Sequence, residues 1–177
     1  MNHYKVKPVA GDEETVRVFF LRVASFQETI FSFFKNLEAT MPKPKTFECT
    51  LLVNKGDRLA FALSFLAVEK YYPAYIHNFM EASFIGAQDL GISTVNWAGI
   101  DRIGKAAHVP VSVPLLKQHE AALRADLASF LTLQKDLQVT NTPAVSVAGT
   151  YIVTPEFTNG DAQLFSQLVN GIISMAC

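Results

Sequence analysis

Residues 15 to 53 read "TVRVFFLRVASFQETIFSFFKNLEATMPKPKTFECTLLV", and the hydrophobic period changes twice along them. Thr15 to Val23 carries apolar residues on both faces, as a central, covered strand does. From Phe26 to about Ala39 the residues Phe26, Ile30, Phe33, Phe34 and Leu37 recur at helical spacing, and Pro42 and Pro44 stop the element. Thr46 to Val53 is rich in β-branched and large apolar residues, which predicts a second long strand. Strand, helix, strand in that order implies a parallel pair joined by a crossover. The tetrapeptide Ala24-Ser25-Phe26-Gln27 falls where the first strand meets the helix. Free backbone N–H groups and the helix dipole favour negative charge at such a junction. Here it carries no thiol, acid or base.

Toward the N-terminus, Tyr4 to Val6 reads as a short edge strand, closed by Pro8 and the acidic turn Gly11-Asp12-Glu13-Glu14. Toward the C-terminus the strand signal disappears for a long helical block. Asp57 to Tyr72 is helical, Pro73 opens a helix to about Phe84, Ser93 can cap a third through Lys105, and Pro114 to Leu137 reads as one long fourth. Strands return at Ala144 to Val147 and Tyr151 to Val153, with Ala148-Gly149 as a two-residue hairpin turn. After Asn159-Gly160 a closing amphipathic helix is expected to bury Leu164, Leu168, Ile172 and Met175. The chain shows no internal repeat or low-complexity tract.

The totals set bounds on function. At 177 residues, half of them apolar and 18% charged with 14 Phe, the chain can bury a sizeable core without disulfides or metals. A net charge of −1 offers no footprint for nucleic acid or an anionic membrane. The most apolar run, Leu59 to Val68, is about half of a membrane span and is followed by Glu69 and Lys70. The N-terminal "MNHYKVKPVAGDEET" lacks the apolar core and cleavage site of a secretory signal. Either the protein is cytoplasmic or Met1 stands where a signal has been removed.

A βαβ half, a helical block, then strand, turn, strand and final helix is the layout of an α/β thioredoxin-like fold with an inserted helical domain. The chain resembles the DsbA family of periplasmic thiol oxidases. "HYKVKPVAG" (3–11) resembles the start of mature members, "VRVFFLRVASFQ" (16–27) the strand leading into their active site, and "NTPAVSVAGTY" (141–151) their cis-proline loop and hairpin. The resemblance implies a first thioredoxin-like part over 1–56, the helical insertion over 57–138 and a second thioredoxin-like part over 139–177. It also implies that Thr142-Pro143 is the cis-proline loop. On this register the family's Cys-X-X-Cys falls on Ala24-Ser25-Phe26-Gln27, so both thiols are absent. The buried acid of many members falls on Val18, and the lysine some carry on the next strand falls at or next to Cys49. Thiol exchange needs one thiolate to attack and a second thiol to resolve the mixed disulfide.

Each remaining candidate has a plainer reading beside it. Kappa-type glutathione transferases share the inserted architecture and use a hydroxyl near the helix start, which gives Ser25 a catalytic reading; the register puts Ala24 there, and Ser25 with Glu28 also reads as a capping box. Cys49 on a strand and Cys177 at the end match no metal or redox spacing. Cys49 reads as a small buried apolar residue, a Cys49–Cys177 disulfide would close most of the chain, and Cys177 could instead link two chains. His3, His77, His108 and His119 are scattered without ligand spacing, so no metal site and no cofactor is expected. Phe33, Phe34, Phe61 and Phe65 read as core, whereas Phe26, at a helix start that normally meets solvent, reads equally as a contact surface.

The expected function is a non-redox DsbA-like periplasmic protein, not an enzyme, that binds a protein or peptide through Ala24 to Gln27 together with Thr142 and Pro143. It would act as a chaperone-like or assembly component of an envelope or secretion machine. The competing readings are a glutathione-linked enzyme using Ser25, a divergent oxidoreductase using Cys49 and Cys177, and a structural subunit assembled through its last helix and Cys177.

Overall fold

The computed structural model describes residues 3–20, 27–53, 59–109 and 111–176. Ala24, Ser25 and Phe26, and Cys177 at the end of the chain, lie outside them. The chain divides into two compact units, one formed by Met1–Leu52 with Thr132–Cys177 and the other by Val53–Leu131.

The first unit is built on a five-stranded sheet in the order β1-β5-β4-β2-β3. β2 (Thr15–Phe20) and β3 (Thr46–Leu51) pair in parallel, Thr15 opposite Thr46 through Phe20 opposite Leu51. α1 (Gln27–Ala39) makes the crossover between them. β4 (Ala144–Val147) runs antiparallel to β2, with β5 (Tyr151–Val153) beyond it and β1 (Tyr4–Lys5) at the edge. The short connection from β4 to β5 permits only the antiparallel arrangement, whereas the helix-length connection from β2 to β3 permits the parallel one.

Because side chains alternate along a strand, β2 serves two cores. Val16 and Val18 join Val145, Val147 and Val153 under Phe34 and Leu37 of α1 and Phe165, Val169, Ile172 and Ile173 of α7 (Ala162–Met175). Phe19, on the opposite face, packs with Val6, Leu52, Leu137, Val139, Ala144 and Ile152. Each such side chain contributes about 1.5–3 kcal/mol when fully withdrawn from water, so both faces must be covered. The face of α7 differs from expectation. Ile172 is buried, but Leu164 and Met175 are 49% and 57% exposed and the core positions are Phe165, Val169 and Ile173. The helix has two adjoining apolar stripes, and periodicity alone does not say which one meets the sheet.

Ala148 and Gly149 turn the β4–β5 hairpin with φ of 53° and 58°, and the Thr150 N–H donates to Val147 O. A Cβ on Gly149 would lie 2.9 Å from Asp12 Cβ and 3.0 Å from Val9 O, so the close approach of the N-terminal segment requires glycine there.

The second unit is helical. α2 (Leu59–Tyr71) buries Phe61 and Phe65; a single 3₁₀ turn at Pro73–Tyr75 precedes α3 (Ile76–Gln88), so Pro73 opens that turn and not the helix itself. α4 (Trp97–Ala106) is capped by Asn96, whose side chain accepts from Gly99 N–H at 2.8 Å, and not by Ser93, whose hydroxyl accepts from Val95 N–H instead. The expected single helix from Pro114 to Leu137 is two, α5 (Val113–Gln118) and α6 (Glu120–Asp136). The break is at His119, with φ −109° and ψ 9°, whose ring packs 4.3 Å from that of Tyr71. No helix among the described residues is long and apolar enough to cross a membrane.

Candidate functional site

Topology brings three segments to one edge of the sheet. β2 ends at Phe20, and α1, which returns the chain to the start of the parallel strand β3, must begin at that same edge with Gln27. β4 is antiparallel to β2, with Ala144 opposite Phe19, so Pro143 enters the sheet beside the end of β2. The Thr142–Pro143 peptide bond is cis, and so is Lys43–Pro44, which the sequence reading did not single out.

The loop into Pro143 is set from behind. α6 stops because Gln138 adopts φ 55°; its N–H then donates to Lys135 O and the N–H of Val139 to Gln134 O, which satisfies the last carbonyls of the helix. Leu137 and Val139 are buried on either side, and the Tyr4 hydroxyl donates to Gln138 O at 3.1 Å. Burial, with the field of Glu156 second, raises the Tyr4 pKa and keeps this donor protonated. Beyond this anchor Thr140 and Asn141 are exposed, Thr142 is half-buried and Pro143 is buried. The backbone groups of Asn141 and Thr142 make no hydrogen bond among the described residues. An extended chain can use such groups in strand fashion.

Val18 and Cys49 are direct cross-strand neighbours. Cys49 is half-buried on the face that carries Phe47. No group of histidine, cysteine, aspartate and glutamate among the described residues could hold a metal ion. His3 packs edge-on to Tyr151 and His119 against Tyr71.

Sequence reasoning missed a buried polar cluster on β2. Arg17 donates through Nη2 and Nε to the two carboxylate oxygens of Asp12 at 2.8 and 3.1 Å and through Nη1 to Thr50 Oγ1 at 3.0 Å, and it pairs with Glu48. Burial opposes the guanidinium charge, but the hydrogen bonds to Asp12 and the nearby carboxylates outweigh it, and the Arg17 pKa is raised. The cluster lies away from the Pro143 edge and ties the 11–14 turn to two strands. A single arginine in an otherwise apolar strand was the available signal.

The architecture is matched across nearly its whole length by solved structures. DsbA from Klebsiella pneumoniae superimposes with a TM-score of 0.72 at 16% identity, covering 99% of this chain and 95% of that one. The chain has the DsbA fold. DsbA from Pseudomonas aeruginosa gives 0.72 at 15% identity over 99% and 94% of the two chains. Proteus mirabilis DsbA, solved as a cysteine-to-serine variant with a non-covalently bound peptide, gives 0.74 at 16% identity over 99% and 95%. No family model and no curated protein matches the sequence. The DsbA fold thus holds here on a sequence only 15–16% identical to those of these structures.

Proposed function

We propose that this chain is a non-redox protein of the DsbA fold that binds an extended polypeptide segment, working in a bacterial periplasm as a chaperone-like or assembly component. The observation that carries the reading is the Asn141-Thr142-Pro143 loop. The backbone groups of its Asn141 and Thr142 make no hydrogen bond among the described residues, it stands at the edge where α1 starts, and its anchor behind Gln138 holds it in place. Peptide recognition of this kind draws affinity from main-chain hydrogen bonds and specificity from side-chain pockets, and it needs no thiol. The non-covalent peptide complex of Proteus mirabilis DsbA supports the idea that the fold can hold a peptide without a covalent bond. Ala24 and Gln27 stand in the thiol positions of the resemblance, and Phe26 is the aromatic residue between them in the sequence.

The test is one variant measured twice. Phe26→Ala is expected to weaken partner binding by about 2 kcal/mol, roughly thirtyfold, with a stability change within about 0.5 kcal/mol. A partner for the measurement comes from crosslinking at position 26 followed by identification of the attached protein. If Phe26 is core, the order reverses and the melting curve shows a loss of about 3–5 kcal/mol. Saturable binding of glutathione, abolished by Ser25→Ala, would replace this reading with the transferase one.

A further inference from the structure

Asn159-Gly160 and Asn170-Gly171 are asparagine-glycine pairs, and every other asparagine of the chain is followed by a residue with a side chain. Such a pair carries its own chemistry. When the glycine N–H gives up its proton, the nitrogen can attack the asparagine Cγ; a C–N bond forms, the side-chain amide leaves as ammonia, and a succinimide ring remains. Water then opens the ring at either carbonyl, giving aspartate or isoaspartate. The net change is asparagine and water to an acid and ammonia, so nothing but water is consumed. Glycine permits the attack because no Cβ crowds it and the chain can turn freely into the ring.

The fold separates the two pairs. Asn170-Gly171 lies inside α7 between the buried Val169 and Ile172, so turning the backbone toward the ring breaks the helix where it covers the sheet core. Asn159 and Gly160 are exposed at the end of the 3₁₀ turn Pro155–Thr158, with φ of 50° and 80°. A Cβ on Gly160 would meet no atom within 4 Å, so the space for the reaction is open. What holds this pair is local: the Gly160 N–H donates to Pro155 O at 3.0 Å and the Asn159 N–H to Glu156 O at 3.4 Å. Surface turns of this kind open at small cost, whereas a core helix opens only near the cost of global unfolding.

The segment that follows gives the site its consequence. Asp161 caps α7, its carboxylate accepting from the Leu164 N–H at 2.8 Å. It is tied back to Thr158, whose O accepts from the Asp161 N–H at 2.9 Å and whose Oγ1 donates to Asp161 O at 3.1 Å. Phe165, in the next turn, is fully buried. Aspartate at 159 leaves this path unchanged, since asparagine and aspartate both tolerate the left-handed region. Isoaspartate instead routes the main chain through the side-chain carbon and lengthens it just before the cap. We infer that Asn159-Gly160 is a site of spontaneous deamidation in the folded protein, and that its isoaspartate product displaces the Asp161 cap of α7.

The test incubates the folded full chain at mildly alkaline pH beside the same chain unfolded in guanidinium chloride. Peptide mapping follows both pairs, and labelling by an isoaspartyl methyltransferase locates the isoaspartate. Unfolded, the two pairs should convert at similar rates, because their local chemistry is the same. Folded, Asn159 should convert at least about tenfold faster than Asn170, as the different opening costs of a turn and a core helix require. A folded chain in which Asn159 stays intact while the unfolded chain converts overturns the site, and so does one in which Asn170 keeps pace. The isoaspartate form, separated by ion exchange, is then compared with Asn159→Asp. Asn159→Asp should melt with the wild type, while the isoaspartate form should melt lower and lose hydrogen-exchange protection at the Leu164 and Phe165 amides. An isoaspartate form that matches Asn159→Asp in both measurements overturns the link to α7.

Discussion

Arg17 shows how much one side chain can organise. Its guanidinium is buried, and it is satisfied only because Asp12, Thr50 and Glu48 converge on it from a turn and a neighbouring strand. Arg17→Met is expected to lower stability by about 3–5 kcal/mol, since it strands the buried Asp12 carboxylate without its cation. Glu48→Gln, at a side chain 49% exposed, should stay within about 1 kcal/mol. Urea melts of the two variants check the ranking, and equal losses would refute it. Ser146, which sits opposite Arg17 on β4, is the reverse case: its buried hydroxyl has no hydrogen-bond partner among the described residues. Leaving such a group unsatisfied costs about 1–3 kcal/mol, so Ser146→Ala should raise the melting midpoint or leave it unchanged. A clear drop would mean that the hydroxyl has a partner such as an ordered water. Neither residue was legible in the sequence. The partners of Arg17 are distant in the chain, and only the β2–β3 register brings them together.

Elements were legible where one period dominated and a chemical stop was present. β4 and β5 lie where the alternation and the Ala148-Gly149 turn put them, and β2, α1 and β3 follow from two changes of period with prolines between. The helical unit was harder, because caps compete. Ser93 and Asn96 can both start a helix, and the choice falls on Asn96 because of Gly99. A Cβ at Gly99 would lie 1.5 Å from Ser93 O, so the backbone passes so close that only glycine fits when the helix starts at Trp97. Asn96→Ala should cost about 1 kcal/mol, the usual value of an N-cap. Gly99→Ala should cost clearly more, since the clash is with backbone and no side chain can yield. Ser93→Ala should change little, its hydroxyl bond to Val95 N–H being longer at 3.3 Å. Thermal melts should show the largest loss for Gly99→Ala, a smaller one for Asn96→Ala and the smallest for Ser93→Ala. α7 was half legible: Ile172 is buried and Leu168 packs against the core as expected, but Leu164 and Met175 are exposed and Phe165, Val169 and Ile173 complete the buried face, because apolar residues adjoin the core stripe on the same helix.

At the scale of the molecule, a thioredoxin-like sheet and a Cys-X-X-Cys centre rest on different residues. The sheet is held by Val16, Val18, Phe19 and their partners on both faces, and none of these contacts needs a thiol at 24 or 27. Chemistry in a Cys-X-X-Cys site comes instead from a thiolate stabilised at a helix start, with a second thiol to resolve the mixed disulfide. Without either cysteine, the wild type should neither reduce insulin nor speed oxidative refolding beyond a Cys49→Ser/Cys177→Ser control. Catalysis above that control would show that Cys49 or Cys177 has taken over. The reverse experiment asks whether the platform is intact. In the double variant Ala24→Cys/Gln27→Cys, with Cys49 and Cys177 replaced by serine, the two new thiols should oxidise to one intramolecular disulfide, and the leading thiol should titrate below the free-cysteine value of about 8.5. Thiol counting before and after oxidation reads the first outcome, and the pH dependence of alkylation reads the second. Two thiols that fail to pair would mean that the chain register at the start of α1 is not that of the resemblance. Two that pair with an unshifted pKa would mean that the α1 N-terminus no longer presents its dipole to that position, and the surface proposed for peptide binding would lose half of its physical basis with it.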